Sequence, residues 1–150
     1  MNSASRLRAL LKAEAMLIAP GAYDGLTAKL VAQAGFPAVY MTGAGTSVSH
    51  GYPDFGLLTM SEMVENAARI VRVVDVPVIA DADTGYGNEL NAFRTVQEYE
   101  GRGIAAIHIE DQVSLRCVRR DACRAEGELC ASGAAHRHDG ARGIQPGRRR

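Results

Sequence analysis

The sequence predicts an α/β chain in which helices cover a parallel sheet, built from about four βα units. Three observations predict it. Short apolar runs alternate with amphipathic stretches in strict order. The runs are apolar at successive positions, as strands buried on both faces are. A weak internal echo also recurs: Gly35-Phe36-Pro37-Ala38-Val39 and Gly103-Ile104-Ala105-Ala106-Ile107 share glycine, apolar, any, alanine, apolar. Both copies fall where a helix gives way to a strand. Such echoes suit a (β/α)8 barrel, of which four units are half. A doubly wound open sheet is the alternative from pattern alone. No G-x-G-x-x-G follows the first run, which weighs against a dinucleotide site.

The elements read off in order. Met16-Leu17-Ile18-Ala19-Pro20 is the first strand-like run. Asp24 caps a helix expected to reach Ala34, with Leu26, Leu30 and Ala34 inward and Gly35 as its stop. Ala38-Val39-Tyr40-Met41 is the second run, and a loop with Gly43, Gly45, Gly51 and Pro53 follows. Thr59-Met60-Ser61-Glu62 reads as a capping box. It opens a helix whose apolar face is Met63, Ala67, Ile70, Val71 and Val74. Val76-Pro77-Val78-Ile79-Ala80 is the third run. The spacing then predicts a helix over 89–100 with Leu90, Phe93, Val96 and Tyr99 inward. Ile104-Ala105-Ala106-Ile107-His108-Ile109 is the fourth run, in which His108 reads as a packed residue.

Composition divides the 150 residues in two. Residues 1–114 hold 8 basic and 13 acidic side chains, net −5, and all eight Tyr and Phe. Residues 115–150 hold 9 Arg and 4 acidic side chains, net +5, and all three Cys. Leu115, Val118, Leu129 and Ile144 are the only large aliphatics there, too few to cover a core, so this segment is expected to be poorly ordered. No run of 18 apolar residues suggests a membrane span, and the first residues do not read as a secretory signal. A thiol-reducing cytoplasmic compartment is the expectation.

Polar residues cluster just after each apolar run. In a barrel this gathers them at the C-terminal face of the strands, where active sites form. After the third run stands Asp81-Ala82-Asp83-Thr84-Gly85-Tyr86-Gly87. Carboxylates two apart on an extended segment point the same way and repel unless a cation or proton is shared. Hard oxygen ligands select Mg²⁺ or Mn²⁺ over zinc. After the fourth run stands Glu110-Asp111-Gln112, whose Glu110 can approach Asp81 and Asp83 from the neighbouring strand. After the second run stands Thr42-Gly43-Ala44-Gly45-Thr46-Ser47, where glycine lets backbone N–H groups approach an anion. Asp54, in Gly51-Tyr52-Pro53-Asp54-Phe55-Gly56, is a further carboxylate aimed at the site or a turn residue.

Five segments then occur in one order: Ala19-Pro20-Gly21-Ala22-Tyr23-Asp24, Tyr40-Met41-Thr42-Gly43, Pro53-Asp54-Phe55-Gly56, Ala80 through Gly87, and His108-Ile109-Glu110-Asp111-Gln112-Val113. In order and spacing they resemble the isocitrate lyase / phosphoenolpyruvate mutase superfamily over about residues 7–114. The resemblance implies the N-terminal part of a (β/α)8 barrel and a Mg²⁺ (or Mn²⁺) site held by Asp81, with Asp83, Glu110 and Asp54 contributing directly or through water. It implies a small carboxylic acid substrate, with the backbone of Thr42, Gly43 and Ala44 on its carboxylate and Tyr40 beside them. The implied reaction is C–C cleavage of a 2-hydroxy or 2-oxo di- or tricarboxylate through a pyruvate-like enolate, as in lyases of 2-methylisocitrate and dimethylmalate and in oxaloacetate decarboxylase. A phosphoenolpyruvate or carboxyvinyl-carboxyphosphonate phosphorylmutase is the alternative. Full-length relatives are expected to be homo-oligomers, and neither nucleic acid nor membrane is an expected partner.

In the lyases the last motif leads into Lys-Arg-Cys-Gly-His, whose Cys protonates the enolate. Here the chain reads Val113-Ser114-Leu115-Arg116-Cys117-Val118. Arg116-Cys117 resembles part of that motif, one position early, with Cys117 as the counterpart of its Cys, and the Gly-His is missing. The simultaneous gain of Arg and Cys and loss of aromatics read as a shift of reading frame near codon 115. An inactive, truncated fragment is therefore a further expectation, since half a barrel leaves an open sheet edge. Cys117, Cys123, Cys130, His136 and His138 lack the close spacing of zinc ligands, and Arg148-Arg149-Arg150 lacks interleaved aromatics for nucleic acid.

Overall fold

A computed structural model describes residues 2–13 and 16–111. The expectations for residues 115–150, including Cys117, the poor order and the shifted frame, lie outside the described residues.

The elements run α1 (Ser3–Ala13), β1 (Gly21–Ala22), α2 (Gly25–Gln33), β2 (Val39–Met41), α3 (Gly43–Ser49), α4 (Met60–Val71), β3 (Val78–Asp81), α5 (Glu89–Gly101) and β4 (Ala106–His108). The strands form one parallel sheet in the order β1-β2-β3-β4. A doubly wound sheet reverses its strand order part-way. This one does not, so the alternative is set aside and the sheet is an arc of the barrel type.

Alternation along the strands separates two faces. Ala22, Val39, Met41, Val78 and Ala80 lie in one core cluster with Ala28, Met63, Val64, Ala67, Ile70 and Tyr99 of the helices. The register pairs Gly21 with Tyr40, Tyr40 with Ile79, Ile79 with Ala106, and Asp81 with His108. Those residues occupy the opposite face and are only half-buried or exposed. Strands expected to be apolar on both faces are therefore packed on one and carry polar groups on the other.

Helix α4 follows its predicted pattern. Thr59 and Glu62 form the capping box, and Met63, Ala67 and Ile70 are buried. Among the described residues, no buried side-chain nitrogen or oxygen lacks a hydrogen-bond partner.

Helix α2 begins as predicted, with Asp24 and Thr27 forming a reciprocal capping box. Its inward face differs from the prediction. Leu26 and Leu30 are 68% and 56% exposed, and the fully buried residue is Ala28. A small side chain at 28 lets the helix sit close on β1 and β2, and the cap at Asp24 fixes that phase. Helix α5 shows the same effect. Leu90 and Phe93 are 73% and 66% exposed, whereas Thr95 and Tyr99 are fully buried. Thr95 can be buried because its hydroxyl lies 2.9 Å from the Asn91 carbonyl and 3.1 Å from that of Gly85.

The segment expected as a loop after the second run is helix α3. Thr42 caps it by accepting from the Gly45 N–H at 3.1 Å, and Thr46 Oγ1 donates to the Thr42 carbonyl. Asn66 of α4 donates to Thr46 Oγ1 and to the Tyr23 carbonyl, which pins the short helix from behind. The first run likewise ends before its strand: β1 begins at Gly21.

The Asp24 cap makes a first prediction. The Thr27 N–H bond holds the Asp24 carboxyl below the usual aspartate value. Asp24→Ala is expected to cost about 1 kcal/mol of stability at pH 7, read from urea unfolding. A group with a lowered folded pKa stabilises above its unfolded pKa, near 4, and loses that contribution as pH falls through the lowered value. The difference between wild type and variant should therefore vanish in acid. A gap that persists unchanged at pH 2 would show that the carboxylate is not the cap.

Candidate active site

All four strands are parallel, so their C-terminal ends meet at one edge, and the polar motifs follow directly. Asp81 is the last residue of β3, Thr42 follows β2, and Glu110 lies two residues beyond β4.

Asp81 is the centre of the arrangement. Its Oδ1 accepts from the Asp83 N–H at 2.8 Å, and its Oδ2 accepts from the Gly43 N–H at 3.1 Å. One carboxylate thus bridges the ends of β2 and β3. Bonds of this kind to an ionised acceptor are about twice as strong as neutral ones. The Asp83 carboxylate accepts from the Thr84 N–H at 2.7 Å, and its carbonyl accepts from the Glu110 N–H at 2.8 Å. That last bond ties the end of β4 to the loop after β3. Asp83 has φ 50° and Tyr86 has φ 62°, so two side-chain-bearing residues of this loop are left-handed. Asp tolerates that region, but a tyrosine there is an outlier of the kind that clusters at functional sites.

Tyr40 lies on the open face of the sheet, its hydroxyl 3.2 Å from His108 Nδ1. Burial first, then the charges of Asp81 and Glu110, push its phenol pKa up. The phenol therefore stays protonated and remains a hydrogen-bond donor beside two carboxylates. His108, expected to be packed, is exposed on the site face instead. His108 ends β4 and Glu110 follows two residues on, the same spacing as Asp81 at the end of β3 and Asp83 beyond it.

The structure thus brings Tyr40, Thr42, Gly43, Asp81, Asp83 and Glu110 to one edge. Ala44 follows in the first turn of α3. Asp54 is exposed in the 52–56 turn and shares none of the hydrogen bonds just described. Among the described residues, no three His, Cys, Asp or Glu groups converge closely enough to enclose a metal ion by themselves. The donor set still fits magnesium. It is carboxylate-rich, and Mg²⁺ commonly takes one or two protein carboxylates and completes its shell with water and substrate.

A family model described as phosphoenolpyruvate phosphomutase matches residues 7–143. The chain belongs to that family. The match runs beyond 114, where the sequence resemblance was placed. Pairwise relatives match over shorter stretches. The 2,3-dimethylmalate lyase of Eubacterium barkeri is 59% identical over 114 residues, 75% of this chain and 39% of that enzyme. The 2-methylisocitrate lyase of Bacillus subtilis is 45% identical over 109 residues, 73% of this chain and 36% of that enzyme. A crystal structure of phosphonopyruvate hydrolase in complex with oxalate and Mg²⁺ superposes with a TM-score of 0.72 at 39% identity, covering 75% of this chain and 40% of that one. The chain thus spans about two fifths of the length of these family members. Its βα units are part of the superfamily's barrel, and its relatives are lyases, phosphomutases and a phosphonate hydrolase. No helix among the described residues is long and apolar enough to cross a membrane.

Proposed function

We propose that this chain carries the α-oxyacid and metal half of a Mg²⁺-dependent carbon–carbon lyase acting on a 2-hydroxy or 2-oxo di- or tricarboxylate. The observation that carries the reading is the Asp81 bridge: one carboxylate held by N–H groups from two strand ends, with Tyr40 close enough to feel its charge and that of Glu110. Asp81 would hold the cation, with Asp83 and Glu110 acting directly or through water. Bound there, magnesium supplies the positive charge that stabilises the oxygen on C2 as the C–C bond breaks. The Thr42–Gly43–Ala44 backbone would flank the substrate carboxylate, with the Thr42 N–H already given to the Ala22 carbonyl. The Gly43 and Gly45 N–H groups are engaged by Asp81 and Thr42, so Ala44 N–H is the donor best placed for it. Tyr40, kept protonated, would donate to a substrate oxygen. The sequence kinship favours the dimethylmalate type of cleavage, since that lyase shares 59% identity over the matched stretch. Phosphonopyruvate chemistry is the second reading, favoured by the likeness to the hydrolase.

The test is pyruvate release by the purified chain with Mg²⁺ from dimethylmalate, 2-methylisocitrate, oxaloacetate and phosphonopyruvate. Manganese binding with and without oxalate is measured alongside. Asp81→Ala is expected to lower turnover by about 10²-fold or more, since losing a metal ligand forfeits several kcal/mol of charge stabilisation. Equal rates and equal Mn²⁺ affinity in wild type and Asp81→Ala would refute the assignment.

A further inference from the structure

The loop from Asp81 to Gly87 is held from beneath by side chains of α5 that none of the roles above uses. Tyr99, fully buried, donates its hydroxyl to the Asp81 carbonyl at 3.0 Å. A carbonyl cannot donate, so this bond consumes Tyr99's only hydroxyl proton. The second contact, Tyr86 Oη to Tyr99 Oη at 3.2 Å, must therefore run from Tyr86 to Tyr99. The result is a directed chain: Tyr86 O–H to Tyr99 O–H to the Asp81 carbonyl. Tyr86 is the residue whose backbone is left-handed at φ 62°. Its ring packs on the core cluster. The strained position is thus fixed at its far end by the phenol.

Two further contacts clamp the same loop to the same helix. Thr95 Oγ1 lies 3.1 Å from the Gly85 carbonyl. Gly85, at φ 83°, sits so close to α5 that an added Cβ would lie 2.9 Å from Ala92 Cβ.

We infer that Tyr99, fed by Tyr86, is a positioning residue that fixes the Asp81 main chain and so aims its carboxylate. The cation part of this inference rests on the reading of Asp81 proposed above. Burial, the largest influence on both phenols, pushes Tyr99 up to about 12 and raises Tyr86 as well. Both therefore keep their protons, and the direction of the chain, through the neutral range. Together with the Gly43 and Asp83 N–H groups, the Tyr99 hydroxyl leaves all three oxygens of Asp81 held. Second-layer bonds of this kind tune metal sites they do not touch.

The experiment combines amide hydrogen exchange with Mn²⁺ binding followed by the free-ion EPR signal, on the purified chain. Tyr99→Phe is expected to speed exchange at the Asp83 and Gly85 amides about fivefold to tenfold relative to those of α4, the factor one buried hydrogen bond is worth. It is expected to weaken Mn²⁺ about tenfold. Leu7→Ala, a buried position of α1 outside the cluster that holds Tyr99, should leave Mn²⁺ affinity at the wild-type value. Tyr86→Phe removes only the outer hydroxyl and should show the same selective exchange at smaller size. It serves in place of Tyr99→Phe if that variant does not fold. Unchanged exchange at 82–87 in the tyrosine variants overturns the inference. Selective exchange with no Mn²⁺ binding by the wild type would support the positioning role and refute the cation reading instead.

Discussion

Gly43→Ala is expected to reduce divalent-cation affinity and turnover by about 10²-fold with little loss of fold stability. An ideal Cβ at Gly43 lies 2.5 Å from Asp81 Oδ2 and 2.9 Å from its Cγ. Real Cβ atoms are not found that close, so the carboxylate must swing aside. That breaks the bond from the Gly43 N–H at 3.1 Å and strains the one from Asp83 at 2.8 Å. Bonds to a charged acceptor are worth about 1.5–3 kcal/mol each, and about 2.7 kcal/mol is a factor of about 10². Against this, alanine favours a helix over glycine by about 1 kcal/mol, and Gly43 opens α3. The fold therefore regains part of what the site loses. Mn²⁺ titration and thermal melting on the same sample separate the two effects. Wild-type affinity in Gly43→Ala would show that the Asp81 carboxylate need not stand where it does.

The largest stability effect is expected at the other face of the sheet. Ile70 is fully buried on α4, within the cluster that contains Val39, Met41, Val78 and Tyr99. Ile70→Ala removes buried methylene and methyl groups and leaves a cavity, at a cost of about 2–5 kcal/mol. A domain has about 5–15 kcal/mol in all, so this single change consumes a large share. Urea unfolding should show a lower midpoint with an unchanged slope, as expected when stability alone changes. A loss under about 1 kcal/mol would mean that α4 does not pack on the strands.

These two substitutions also show what was legible in the sequence. The α4 face could be read because burial there follows apolarity with a helical period. The gathering of Asp81, Asp83 and Glu110 at one edge could be read because carboxylates immediately after apolar runs have no core role. Other features depart from the sequence expectation for physical reasons. Helices α2 and α5 seat Ala28 and Thr95 inward and leave Leu26 and Phe93 exposed, because close approach and satisfied hydroxyls outweigh side-chain apolarity there. Helix α3 stands where the sequence reads as a loop: glycine disfavours helices, and the Thr42 cap with the Asn66 anchor overrides it. His108 reads as packed because it lies in an apolar run, although a strand alternates and its turn falls on the site face. Tyr99 was correctly placed inward, but its bond to Asp81 joins residues 18 apart and has no local signature.

The division of each strand into two faces has an evolutionary consequence. Residues 39, 41, 78 and 80 answer to the core, while 40, 79, 81 and 108 answer to whatever occupies the site. Mutations in the second set are filtered by chemistry and those in the first by folding. A scan of all substitutions would therefore show tolerance alternating every second residue along β2 and β3. On such a scaffold one lineage can exchange substrates by drifting at half of its strand positions while the other half stays put.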